Sequence, residues 1–500
     1  AVPGVKPERG ICRTSVRTTG SGTPAHSFFT DPMSISPNQA RFAAGAGTVT
    51  LWSGLRGSSV AVALLSAARH HRGVTLVATR SSHQAQSLAR DLQLLSVSSL
   101  PVLLFPDHET LPYDPFSPHP DIIAERLKTL SALASMEQGI VLAPVSSLMQ
   151  RLPPADYILQ RSFSLATGQR LVIDDFRQQL HHAGYEVSEQ VYQAGQYAVR
   201  GSVLDLFPTG STAPFRLDLF DEEIDTIREF DVESQRSTGQ VDSIGLLPAR
   251  EYPTDEAALE AFRRAFRLRF DVDTRRVTLY QDLRNGIHPQ GLEQYLSLFY
   301  EQTSSLLDYL SGPPQLVLQD DVYRASEDQF RRTLERWEQR RYDIERPVLD
   351  PEELFLTPDE IKHTLDEFNT VHLQEVRDRS TSEALFDSEE APDVHIHERG
   401  KEPASDLIEF VSSFNGRILF AADTPGRREV LRTTLAAFGI KPRTFETYAA
   451  FYGEGAPLGL SELPVEEGFV IPGELALITE SQLFGGRSRP KAQRAVSERD

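Results

Sequence analysis

Gly54-Leu55-Arg56-Gly57-Ser58-Ser59-Val60-Ala61 lies between an apolar run, Thr48–Leu51, and a helix-length amphipathic stretch, Ser58–His70. A phosphate loop needs the pattern Gly-x-x-x-x-Gly-Lys-Ser/Thr at this junction, because backbone amides wrap the phosphates, the lysine neutralises them and the hydroxyl holds magnesium. Gly54 fits the pattern and Gly57 adds flexibility. Ser59 stands where the second glycine belongs, Val60 where the lysine belongs and Ala61 where the hydroxyl belongs. The stretch reads either as a decayed phosphate loop or as a strand–helix turn of small residues. On both readings no ATP is bound here.

Outward from the loop, Val74–Ala78, Ser82–Leu94, Val102–Leu104 and Ile140–Pro144 continue an alternation of short apolar runs with helix-length segments. Such alternation predicts βαβ units and a parallel sheet. From Ala155 to Leu247 the rhythm changes. A helix at Ile173–His182 precedes Tyr197–Phe207, a Pro208–Ser211 turn, Phe215–Phe220, a turn at Asp221–Glu223, and Thr226–Val232, the pattern of an antiparallel meander in a small inserted α+β domain. Helical patterns follow, including Ser326–Arg341 and a capping box with proline at the first helical position, Thr357-Pro358-Asp359-Glu360. Phe330, Leu334 and Trp337 read as a core stripe on the first of these.

The domain plan is therefore a leader at 1–35, an α/β lobe in two parts at 36–156 and 248–376, the insertion at 157–247, a charged linker at 377–402, a second small α/β domain at 403–484 and a basic tail at 485–500. The chain begins without Met, and Met33 reads as the true start, which leaves the one cysteine, Cys12, in the leader. Disulfide scaffolds and cysteine-based zinc sites or nucleophiles are then excluded. No run of 18 or more apolar residues occurs, so cytoplasm is the expected compartment, with no membrane partner. A net charge of −20 over 500 residues opposes binding to the DNA backbone, where affinity comes from Lys and Arg displacing counterions.

Strand alternation in the meander places Phe215, Leu217 and Leu219 on a core face, and Arg216, Asp218 and Phe220 on the other. Arginine beside an exposed aromatic is the mixture enriched at protein interfaces. Arg200, before Gly201, joins that face if the hairpin pairs around Pro208–Ser211. Asp221-Glu222-Glu223-Ile224 superficially resembles a helicase acidic box, but reads as a solvated turn. His395 and His397 share a face of an extended segment with too few neighbours to complete a metal site.

Longer strings carry a resemblance. Glu109-Thr110-Leu111-Pro112-Tyr113-Asp114-Pro115-Phe116-Ser117-Pro118-His119, Arg200-Gly201-Ser202-Val203-Leu204-Asp205-Leu206-Phe207-Pro208 and Arg216-Leu217-Asp218 with Phe220-Asp221 make the chain similar, from about residue 50 to 485, to the N-terminal part of the transcription-repair coupling factors (Mfd) and, more distantly, to the excision-repair helicase UvrB. The resemblance implies a degenerate RecA/UvrB-like lobe, with no catalytic residue, cofactor or metal in this segment. It also implies that the inserted domain docks UvrA through the positions matching Arg200, Arg216 and Phe220. UvrB's long DNA-gripping hairpin is missing between His119 and Arg126. In the family, RNA polymerase, DNA, ATP and magnesium are handled by further C-terminal domains, so the resemblance implies an incomplete chain whose intact form is an ATP-dependent DNA translocase. A UvrB-type ATPase subunit with an unorthodox loop is the alternative.

Overall fold

The computed structural model describes residues 34–43, 47–319, 321–374, 384–397 and 403–485. The leader up to Met33, with Cys12, and the basic tail beyond Gly485 lie outside them.

The α/β alternation of the first 150 residues is realised as strands β1 (Val49–Ser53), β2 (Val74–Thr79), β3 (Val102–Leu104) and β4 (Gly139–Pro144), with helices α1 (Ser59–His70), α2 (Ser82–Leu95) and α3 (Pro120–Leu133) between them. Local chemistry sets the ends. The Ser81 hydroxyl accepts from the Gln84 amide to start α2, and Pro120 takes the first turn of α3, where no amide partner is needed.

The insertion contributes β5 (Phe163–Ala166), β6 (Glu186–Val187), β7 (Gln196–Arg200), β8 (Val203–Leu206), β9 (Phe215–Phe220), β10 (Glu223–Phe230), β11 (Ser237–Val241) and β12 (Ser243–Leu246). Tyr197–Phe207, one run by pattern, is two strands. Gly201 takes a left-handed φ of 63°, and Arg200 pairs with Val203 across the tight turn. The sheet runs β11-β10-β9-β8-β7-β6, and β5 and β12 pair separately. Leu204, Leu206, Leu217, Leu219, Ile224 and Ile227 bury one face against the helix Ile173–His182, whose Phe176 and Leu180 complete the core.

The lobe resumes with β13 (Gln315–Gln319), β14 (Thr370–Gln374) and β15 (Ala384–Leu385). They complete a seven-stranded sheet, β15-β1-β14-β13-β2-β4-β3, parallel throughout. Both its faces are covered, which is why β2 and β4 are apolar without alternation. Val77, Ile140 and Leu142 point towards α1 and α2, whereas Leu76, Ala78, Val141 and Ala143 point towards α3.

Two segments depart from the pattern of their sequence. Within 377–402, the described residues 384–397 are no free linker: β15 extends the lobe sheet, and Phe386, Val394 and Ile396 are buried. On the helix Val322–Arg340 the buried positions are Val322, Ser326 and Thr333, and Leu334 of the supposed core stripe is 40% exposed. Phe330 of that stripe does pack against the lobe core and Trp337 is half-buried, so the departure is at Leu334. The capping box at Thr357 and Glu360 forms as the pattern requires.

The last body carries β16 (Glu389–Glu390), β17 (Arg417–Ala422), β18 (Arg443–Phe445), β19 (Leu458–Glu462), β20 (Phe469–Ile471) and β21 (Leu475–Thr479), ordered β16-β20-β21-β17-β19-β18. One face of this sheet shares a core with the lobe: Leu419, Phe451, Leu463, Val465, Phe469 and Leu477 pack in one cluster with Val62, Leu65, Leu88 and Leu92 of α1 and α2.

Candidate functional site

Two places chosen from the sequence can be followed into the structure. At the first, β1 hands over to α1 through Gly54 and Gly57, both with left-handed φ, 83° and 50°. The strand–turn–helix order read from the sequence is therefore present. Its polar groups are turned to other partners. The Ser59 hydroxyl, fully buried, accepts from the Arg56 amide at 2.8 Å and from the Ser388 hydroxyl at 2.8 Å. The Ser58 hydroxyl reaches Asp91 of α2 at 2.5 Å and the Glu467 carbonyl at 2.8 Å. Val60 packs at the edge of the shared core and Ala61 lies inside it. Burial pushes the Asp91 carboxyl up to about 6, against the opposing pull of the Ser58 hydroxyl.

The second place is the polar face of the inserted sheet. Asp205 of β8 and Arg216 of β9 are register partners. The Arg216 guanidinium donates from Nε at 2.6 Å and from Nη2 at 2.9 Å to the two oxygens of Asp205, a bidentate pair. It also donates to the Gln235 carbonyl at 3.2 Å and lies 4.8 Å from the centre of the Phe230 ring. Arg200 ends β7, one strand further from β9 than the hairpin argument placed it. It still arrives at the same carboxylate, 3.9 Å from Asp205, while donating to the Glu189 carbonyl at 2.6 Å. Phe220 ends β9 beside the left-handed Asp221 and is 75% exposed.

The structure thus places the two arginines on one buried anion, with Phe220 farther along the same face of β9. Asp218, between Arg216 and Phe220 on that face, is tied to Arg228 and Thr226. Asp205 is the residue that reading the sequence missed. Its alternation parity was visible, but the register that sets it opposite Arg216 was not.

No helix among the described residues is long and apolar enough to cross a membrane, and no group of three or more His, Cys, Asp or Glu side chains there could hold a metal ion. The His395 and His397 rings lie 5.0 Å apart, edge to face.

A parallel α/β lobe carrying an inserted, largely antiparallel domain defines the class: a UvrB-like α/β architecture. Comparison with known proteins makes this particular. The UvrB interaction domain matches residues 163–252, and the D3 domain of MFD matches residues 410–483. The transcription-repair-coupling factor of Haemophilus influenzae is 39% identical over 437 residues, covering 87% of this chain and 38% of that protein. Its counterpart in Escherichia coli is 37% identical, covering 91% of this chain and 40% of that protein. That of Bacillus subtilis is 27% identical, covering 89% and 39%. The chain belongs to the transcription-repair-coupling factor family and corresponds to its N-terminal, UvrB-like region. It spans about two fifths of the length of these relatives.

Proposed function

We propose that this region is the UvrA-recruiting adaptor of a transcription-repair-coupling factor, acting by binding and not by catalysis. The carrying observation is the face formed by Arg200, Arg216 and Phe220 inside the stretch that matches the UvrB interaction domain. A bulky aromatic left three-quarters exposed, on the same face as arginines held in place by a buried carboxylate, is a preorganised docking surface. Such anchors lose little freedom on binding, so more of the contact energy appears as affinity.

In this reading the loop at Gly54 holds no nucleotide: Val60 offers no positive charge and Ala61 no metal ligand. ATP and magnesium, RNA polymerase and DNA belong to the parts of the longer relatives that this chain does not span. The reading places the protein in the cytoplasm, at polymerase stalled on damaged DNA, and makes the complete protein an ATP-dependent translocase.

The test is a calorimetric titration of this chain with UvrA. Wild type binds, and Arg216→Glu combined with Phe220→Ala reduces affinity by a hundredfold or more on the order of two hot-spot losses. Unchanged affinity in the double variant removes this face from the interface, and failure of the wild type to bind removes the function.

A further inference from the structure

We infer that the degenerate phosphate loop is itself an occupied binding site, whose ligand is a peptide loop of the closing domain, residues 465–468. The Ser58 amide, at the start of the 12-residue α1, donates to the Glu467 carbonyl at 3.3 Å, and the Ser58 hydroxyl, whose one proton is shared between Asp91 and this carbonyl, lies 2.8 Å from the same oxygen. A carbonyl oxygen carries partial negative charge, which the amide end of a helix favours as it favours phosphate.

Gly57 fits this ligand, and Gly54 fits the backbone that follows β15. A side chain at Gly57 would run into the Gly468 carbonyl, and one at Gly54 into the Phe386 carbonyl. In a phosphate loop glycine lets the backbone approach phosphate. Here it lets the backbone approach another backbone.

The contact is built beyond these bonds. Ser87 of α2 donates to the Glu466 carboxylate. Ser388 bridges the Arg56 amide and the Ser59 hydroxyl. Val465 of the peptide loop, and Leu463 and Phe469 on either side of it, are buried in the core that α1 and α2 share with the closing domain. The closing domain therefore acts as a resident ligand. It fills the loop that a nucleotide would fill and holds the lobe in a single arrangement without one. This role does not depend on what docks at Arg200, Arg216 and Phe220.

The experiment is amide hydrogen exchange on the whole chain, read over residues 56–61 and 464–468, in wild type and Ser58→Ala. Both segments should exchange slowly in wild type. Ser58→Ala should speed both together by about five- to tenfold, the factor expected for losing one buried hydrogen bond, with β9 and β10 unchanged. Ser87→Ala, which leaves the phosphate loop itself untouched, should speed 464–468 by a smaller factor and serves if Ser58→Ala does not fold. Millimolar magnesium ATP should leave all these rates unchanged. Wild-type exchange over 56–61 at the rate of an exposed loop would overturn the inference. So would acceleration by Ser58→Ala confined to one segment, no effect of Ser87→Ala on 464–468, or slowing by ATP.

Discussion

Asp205 accepts two hydrogen bonds from Arg216 across β8 and β9, at 2.6 and 2.9 Å, and is itself almost wholly buried. A buried carboxylate is stable only while its cation stays, so the pair fixes where the guanidinium points. Asp205→Ala should lower unfolding stability by about 2–3 kcal/mol, the usual cost of losing charge-assisted bonds. Chemical denaturation measures that cost. Arg200, 3.9 Å from the same oxygen, should lose its position too, so UvrA affinity should fall although neither arginine is altered.

Phe220 is the opposite case. Because it is exposed, Phe220→Ala should change stability by no more than about 0.5 kcal/mol. UvrA affinity should nonetheless fall by more than about tenfold. Parallel thermal melts and binding titrations separate the two effects, and equal losses in both would identify Phe220 as a packing residue.

Glu251 shows the reverse sign of pKa shift from Asp91. Burial alone would raise its carboxyl, but Arg126 at 2.8 Å and His108 at 3.1 Å outweigh burial and hold it near 2. A depressed carboxyl contributes stability above its ordinary range near 4.5 and loses it as pH falls towards 2. Glu251→Gln should cost about 3–5 kcal/mol at neutral pH, because Arg126 is completely buried and would be left without its partner carboxylate. The cost should shrink on acidification, which denaturation curves at several pH values would record.

Asp91, pushed up to about 6 by burial, opposes folding when ionised. The folded state binds its proton more tightly than the unfolded chain, so stability declines as pH rises from about 4 to about 6 and stays lower above that. Asp91→Asn should therefore raise the melting temperature at pH 8 and leave it nearly unchanged at pH 4. The same substitution keeps an acceptor for Ser58, so the contact with the Glu467 loop should survive.

Labelled magnesium ATP should show no saturable binding to this chain in equilibrium dialysis, even at millimolar concentration. Saturable binding would favour the UvrB-type ATPase reading.

Much of the architecture was legible because it rests on short-range rules. The run Phe215–Phe220 alternates, and its strand spans those residues. Thr357-Pro358-Asp359-Glu360 is a helix start in both pattern and structure. Misreadings arose where a distant partner decides. Tyr197–Phe207 is apolar enough for one strand, but the left-handed Gly201 folds it into two. Residues 384–397 look like linker by composition, yet β1 supplies β15 with a pairing edge and the closing domain buries Val394 and Ile396. The helix Val322–Arg340 shows an amphipathic stripe, yet its buried positions are Val322, Ser326 and Thr333, while Phe330 of the stripe packs at the core's edge and Leu334 is exposed.

The sequence by itself determined that Val60 and Ala61 stand where a phosphate loop would need charge and a metal ligand, because chemical identity is a local property. It likewise determined that Arg216 and Phe220 share a face, since alternation along one strand is also local. Only the tertiary structure decided that both arginines converge on Asp205, and that the Glu467 carbonyl fills the loop at Gly54. The partners in the first case lie on three different strands, and in the second more than four hundred residues separate Ser58 from Glu467. Cross-strand register and domain docking are set by the packing of whole sheets, which no local pattern encodes.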